Sequence, residues 1–309
     1  MIPTTGTCAT LDNDLKNFFS QNPDLHLGGS GDFHDERNHH AQVLYPSSEQ
    51  QQQKNGKAAV LIYFHGGGYT VYAVEYRLVP VWRFPTQLDE YACVLQWIQG
   101  KGGKARGVHP DRVYGGGDSA GGNMTAALSL RLRDEGKKPL KAQILLYPEA
   151  RLPFDTLAAT ENNLGYYLEC RRAAGIISWS MSLGNGIFSF ADHHLPRSTP
   201  PSHPHVSPSM QPLKSLKGVP PAAVFTCEFD PLRDVGVEHA LKLDEADNEV
   251  KWLHFDTLTH SFLQMALWSH EAMATTNVGQ ETKRLANSSG RKCNAKNMAE
   301  VDLLSKIRA

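Results

Sequence analysis

Short apolar runs recur along the chain, separated by polar or glycine-containing stretches. Ala41–Tyr45, Ala58–Phe64, Val71–Tyr76, Ala142–Tyr147, Ala222–Cys227 and Val250–Phe255 are rich in β-branched and aromatic residues and read as strands. Helical patterns lie between most of them. TQLDEYACVLQWIQG, from Thr86, brings Leu88, Cys93, Val94, Trp97 and Ile98 roughly onto one face. GNMTAALSLRLRDEG ends in charged residues and Gly136, the pattern of a helix terminus, and VGVEHALKLDEADN is a third helix. Strands alternating with helices of this length predict an α/β fold with a mostly parallel central sheet, flanked on both faces by helices.

Some stretches fit that alternation less well. EQQQQKNG, from Glu49, is a polar connection and is expected to be a solvated loop. Pro196 to Pro221 carries eight prolines and reads as a long surface connection. After about Ala274 the chain is polar and aperiodic, so 275–309 is expected to be a poorly ordered tail.

The totals narrow the function classes. With 31 Lys and Arg against 32 Asp and Glu, no global field favours nucleic acid or an anionic membrane. Mean hydropathy is −0.40, and the longest apolar run, Ala58–Phe64, is far too short to cross a bilayer. No secretory signal is visible in MIPTTGTCATLDNDL, so a soluble cytoplasmic protein is the expectation. The five cysteines are scattered without a CxxC pair, which argues against a disulfide framework and a zinc site. His39-His40 and His193-His194 are adjacent pairs without further spaced ligands, so no metal is expected.

The chemistry concentrates in YGGGDSAGGNM. Gly117-Asp118-Ser119-Ala120-Gly121 satisfies GxSxG, with a strand candidate before it and a strong helix after. In that context the serine sits on a strained strand-to-helix turn, which demands the small residues Gly117 and Gly121 two positions away. The turn lifts the hydroxyl clear of the sheet, and the helix beginning there favours a developing oxyanion. A phosphate-binding loop is set aside because the GK[ST] ending is missing. A serine needs a base oriented by a carboxylate, in the chain order Ser, acid, His. Asp230 follows one strand candidate and His260 the next. Taken singly, Asp230 reads as a turn residue and His260 as a surface or core histidine. Together with Ser119 they are three residues in the required order at three strand ends, and so make a candidate triad. His65-Gly66-Gly67-Gly68, directly after a strand, has the form of a backbone oxyanion loop. His194, His203, His205 and His270 are read as structural.

HGGGY, YRLVP, GDSAGGN, DPLRD and a following His together resemble the hormone-sensitive-lipase-like branch of the α/β-hydrolases, from about residue 41 to 270. The resemblance implies a nucleophile at Ser119, a base at His260 and an orienting acid at Asp230. It implies oxyanion N–H groups at Gly67, Gly68 and Ala120, a catalytic domain over 41–274, and cap elements from 1–40 and 153–195. It further implies a carboxylesterase of the lipase-like kind, acting without a cofactor on small short-acyl esters; oligomeric state stays open. Some relatives of that branch are catalytically inactive, so a ligand-binding or truncated relative is the alternative.

This chain also departs from that pattern. Ser261 stands where a glycine is usual and is expected to change little. The extra glycines of VYGGG are expected to weaken a central strand. An apolar closing helix at the end is missing from the pattern. The largest departure is FHGGGYTVYAVEYRL, which lacks the helix and further chain that the branch places between HGGG and YRL. Gly66 to Thr70 spans at most about 17 Å, whereas returning along a seven-residue strand takes more than about 20 Å. Val71–Tyr76 is therefore expected to pair antiparallel, to leave the sheet, or to displace the strand before it.

Overall fold

The computed structural model describes residues 58–64, 77, 81–105, 107–152, 156, 158–159, 194–266 and 269–275. The expected strands 41–45 and 71–76, the polar loop 49–56, the HGGG loop, nearly all of the expected cap elements and the tail after Thr275 lie outside them. The described strands are β1 (Ala58–Phe64), β2 (Val108–Asp118), β3 (Gln143–Leu146), β4 (Ala222–Phe229) and β5 (Val250–Thr259). They form one parallel sheet in the order β1-β2-β3-β4-β5. The helices described over their whole length are α1 (Thr86–Gln99), α2 (Lys101–Ala105), α3 (Ala120–Asp134), α4 (Leu213–Leu216) and α5 (Arg233–Glu245), and residues 270–275 are helical as well.

Strand alternation divides the interior into two faces. β4 is buried along its whole length. Ala222 and Val224 join Leu145, Val250 and residues of α3 and α5, including Ala126, Leu130, Ala240 and Leu243. Ala223, Phe225, Cys227 and Phe229 point the other way, toward Leu253, Leu258, Phe262 and Met265. On the first face α3 is shared, since Ala127, Leu128 and Leu132 also pack with Ile62, Val113 and α1. The sequence of α1 buries Leu88, Tyr91, Ala92 and Leu95, spaced i, i+3, i+4, i+7. That corrects the expected face: Cys93 is exposed and Trp97 is 47% exposed. Of the expected face Leu88 is buried and Val94 and Ile98 pack half-buried against the same cluster, while Tyr91 and Ala92 complete the inward stripe.

Two further expectations are corrected. Pro196–Pro221 is a surface connection only in part: Pro200–Ser202 and Pro212–Lys214 are exposed, whereas Val206, Ser207, Pro208, Ser209 and Leu216 are buried within it. The glycines of β2 are seated in a tight interior. A Cβ on Gly115 would come within 2.6 Å of a Leu140 methyl carbon and 3.3 Å of Thr125 on α3. They let helix and strand approach closely, and Gly115–Asp118 pairs with β3 while Val113–Gly117 pairs with β1. Finally, β1 keeps its full length beside β2, with Phe64 opposite Gly117, so it is not displaced. The other two fates for Val71–Tyr76 concern residues outside those described.

Candidate active site

The parallel arrangement puts the ends of β2, β4 and β5 on one edge, and Ser119, Asp230 and His260 are the residues that immediately follow them. Parallel strands direct their carboxyl ends to the same side, where loops carry chemistry. Ser119 takes φ 55° and ψ −120°, a conformation rarely held by a residue with a side chain. Strain of this kind costs on the order of 1–3 kcal/mol and persists only when the surroundings impose it. Here they do. Ser119 N–H donates to Leu146 O at 2.9 Å, and its carbonyl accepts from Asn123 N–H and Glu149 N–H, each at 3.1 Å. Asn123 Nδ2 in turn donates to the carbonyls of Glu149 and Val206. A Cβ on Gly122 would lie 3.0 Å from Pro148, so that glycine permits the close approach of α3 to the end of β3.

Ser119, His260 and Asp230 form one hydrogen-bonded chain. His260 Nε2 is 3.1 Å from Ser119 Oγ, and His260 Nδ1 is 3.0 Å from Asp230 Oδ2. The carboxylate can only accept, so Nδ1 carries the proton and Nε2 is left to accept from the serine hydroxyl. Asp230 is fully buried, and its other oxygen accepts Leu232 N–H at 2.7 Å. Thr259 Oγ1 donates to Phe229 O at 2.9 Å, which ties the strand end before the histidine to the one before the aspartate. Ser261, next to the base, has φ 63°. A non-glycine residue in this left-handed region costs roughly 1–2 kcal/mol, while the base beside it keeps both of its hydrogen bonds.

Several groups around these three carry no simple motif. The Asp118 carboxylate accepts from Tyr63 OH and Gln264 Nε2, both at 2.9 Å, and Tyr147 OH donates to Gln264 Oε1 at 3.0 Å. The Tyr147 ring lies 4.7 Å from the His260 ring. Beneath the acid turn, Arg233 donates to Glu228 at 2.8 Å and to Asp234 at 3.0 Å, all three side chains being buried. His254 bridges Glu228 and Thr226. Burial lifts the Glu149 carboxyl to about 8, and burial holds the His239 imidazole at about 4 and that of His194 at about 4.

Of the residues named from sequence, Ser119, Asp230 and His260 are brought together, while Gly117, Asp118, Ala120 and Gly121 build the turn. Ala120 opens α3, where backbone N–H groups lack helical partners. His65, Gly66, Gly67 and Gly68 lie outside the described residues. Among the described residues no group of three or more His, Cys, Asp or Glu could hold a metal ion, and no helix is long and apolar enough to cross a membrane.

A family profile described as alpha/beta hydrolase fold matches residues 67–264. The chain is 31% identical over 215 residues to the carboxylesterase NlhH of Mycobacterium tuberculosis, an alignment covering 69% of this chain and 63% of the relative. It is 30% identical over 194 residues to an arylesterase of Saccharolobus solfataricus, covering 63% and 58%. The chain thus spans somewhat under two thirds of the length of these relatives. Among solved structures, a thermostable esterase from Pseudomonas putida superimposes with a TM-score of 0.59 at 26% identity, covering 74% of this chain and 72% of that one. A hyperthermophilic esterase from Pyrobaculum calidifontis gives 0.63 at 24% identity, covering 75% and 76%, and so speaks to the fold alone.

Proposed function

Because the chain belongs to the α/β-hydrolase fold family, we propose that it is a serine carboxylic-ester hydrolase acting on small short-acyl esters. The observation that carries this reading is the continuous chain Ser119 Oγ, His260, Asp230 at 3.1 and 3.0 Å. The esterase names of the relatives agree with it. In the proposed reaction His260 Nε2 takes the hydroxyl proton as Ser119 Oγ attacks the ester carbonyl. Asp230 holds the imidazole in the required tautomer and stabilises the imidazolium. The tetrahedral oxyanion develops near Ala120 N–H at the start of α3, with Gly67 and Gly68 N–H as the further donors. Each such donor is worth about 2.7–4 kcal/mol of transition-state stabilisation. Collapse passes the proton from His260 to the alcohol leaving group. Water, deprotonated by the same imidazole, then releases the acid from the acyl-enzyme.

The alternative of an inactive relative finds no support in this arrangement, since the strained elbow and the aligned base are both present. The test is hydrolysis of p-nitrophenyl acetate and butyrate by the purified protein beside Ser119→Ala, with fluorophosphonate labelling of both. Turnover and stoichiometric labelling that disappear in Ser119→Ala are expected. Equal rates for the two proteins would refute the proposal.

A further inference from the structure

A second chain of hydrogen bonds runs beside Ser119, His260 and Asp230 without including any of them. Tyr147 OH donates to Gln264 Oε1 at 3.0 Å, Gln264 Nε2 donates to Asp118 Oδ2 at 2.9 Å, and Tyr63 OH donates to Asp118 Oδ1 at 2.9 Å. Its members come from four places: the end of β3, the turn after His260, the residue before Ser119, and β1. Gln264 lies in the single turn Phe262–Met265, four residues after the base, and Asp118 is one residue before the nucleophile. This side-chain bridge therefore joins the histidine-bearing turn directly to the elbow. Tyr147 takes part twice, since its ring packs against the His260 ring at 4.7 Å and against Phe262 at 5.2 Å.

We propose that Gln264 is a positioning residue, fixing the His260-bearing turn to the nucleophile elbow through Asp118 so that Nε2 stays on Ser119 Oγ. The inference rests on the ester-hydrolase reading given above. The polarity of the chain is determined throughout. Asp118 accepts on both oxygens, so Gln264 presents its NH2 to it and its carbonyl oxygen to Tyr147. Burial, reinforced by the charge of Asp118, pushes the Tyr63 and Tyr147 phenols up, so both remain donors through the neutral range. The titratable groups around the bridge are Asp118, Tyr63, Tyr147, Cys227, Asp230 and His260.

The test compares wild type, Gln264→Leu and Gln264→Glu in p-nitrophenyl acetate hydrolysis from pH 5.5 to 9, with thermal unfolding of each. Gln264→Leu breaks the bridge, and loss of its hydrogen bonds predicts about a tenfold fall in kcat with KM within about twofold. Gln264→Glu is nearly isosteric. While protonated, the new carboxyl can still donate to Asp118 and accept from Tyr147; once ionised it faces Asp118 as a like charge. Its rate relative to wild type is therefore expected to fall as pH rises, at temperatures where the unfolding curves show the variant fully folded across the whole range, so that a stability defect does not account for it. An unchanged kcat in Gln264→Leu, or a flat Gln264→Glu to wild-type ratio, would overturn the inference. The low-field proton resonance of His260 Nδ1–H reads the same positioning without turnover. It is expected to shift or broaden in Gln264→Leu, and an unchanged resonance would count against the bridge. A wild type that hydrolyses no ester would instead refute the esterase reading, with the resonance still testing the position of His260.

Discussion

Glu149 offers the sharpest test of the buried electrostatics. Its backbone is held between the elbow and α3, its N–H on Ser119 O and its carbonyl on the Asn123 amide. That clamp carries the side chain into the interior, where it is 8% exposed and its carboxyl titrates at about 8 instead of 4.5. A folded-state value above the unfolded one means that the folded chain binds the extra proton between these two limits. Stability contributed by the neutral form is therefore complete below pH 4.5 and is lost as pH rises toward 8. The shift corresponds to about 5 kcal/mol in full, of which about 3 kcal/mol falls between pH 6 and pH 9. Glu149→Gln keeps the shape and removes the titration. Urea unfolding of both proteins at pH 5, 7 and 9 measures the difference, in which every other titrating group cancels. The variant is expected to gain steadily on wild type as pH rises, reaching several kcal/mol at pH 9. Parallel stability profiles would refute the idea that this carboxyl is buried in its ionisable form.

The histidines act with the opposite sign. His239, buried, and His194 are both held at about 4, so the unfolded chain binds their protons first and stability falls as pH drops from about 6.5 to 4. His239→Leu is expected to remove about 2 kcal/mol of the acid loss at pH 5, measured as a change in urea midpoint between pH 7.5 and pH 5. Packing is tested at Gly115, where a Cβ meets a Leu140 methyl carbon at 2.6 Å. Gly115→Val is expected to destabilise by about 1–3 kcal/mol, with loss of thermal stability as the readout.

The parts of the fold legible in the sequence are those where one periodicity acts alone. AAVLIYF is β1 to the residue, and the α3 and α5 patterns lie within two or three residues of the observed helices. Ser119, Asp230 and His260 were readable because strand ends, chain order and glycine spacing constrain them together. α1 misled because Cys93 and Trp97 were weighted by their apolar character, whereas the buried stripe runs through the smaller Ala92 and through Tyr91. Gln264, Tyr147 and Tyr63 carry no local signal. Their partners lie 117, 146 and 55 residues away in the chain, so only the folded sheet shows that they meet. Pro196–Pro221 shows the converse: proline-rich composition suggested surface, while tertiary packing drew Val206 and Leu216 inside.

The strand order has a consequence for the timing of assembly. Among the described strands, space follows sequence without interruption, β1 through β5, each joining the edge left by its predecessor. Such a sheet can extend in one direction as successive strands leave the ribosome. The elbow at Ser119 sits early in this series, and the base arrives only with β5, 141 residues later. The contacts that hold the serine come from Leu146, Glu149 and, through Asn123, Val206, so the elbow is complete only after those residues are in place, and the imidazole that faces it follows with β5. The proposed transfer of the Ser119 proton to His260 therefore requires β5 to be docked on β4, so it depends on this edge of the sheet having closed.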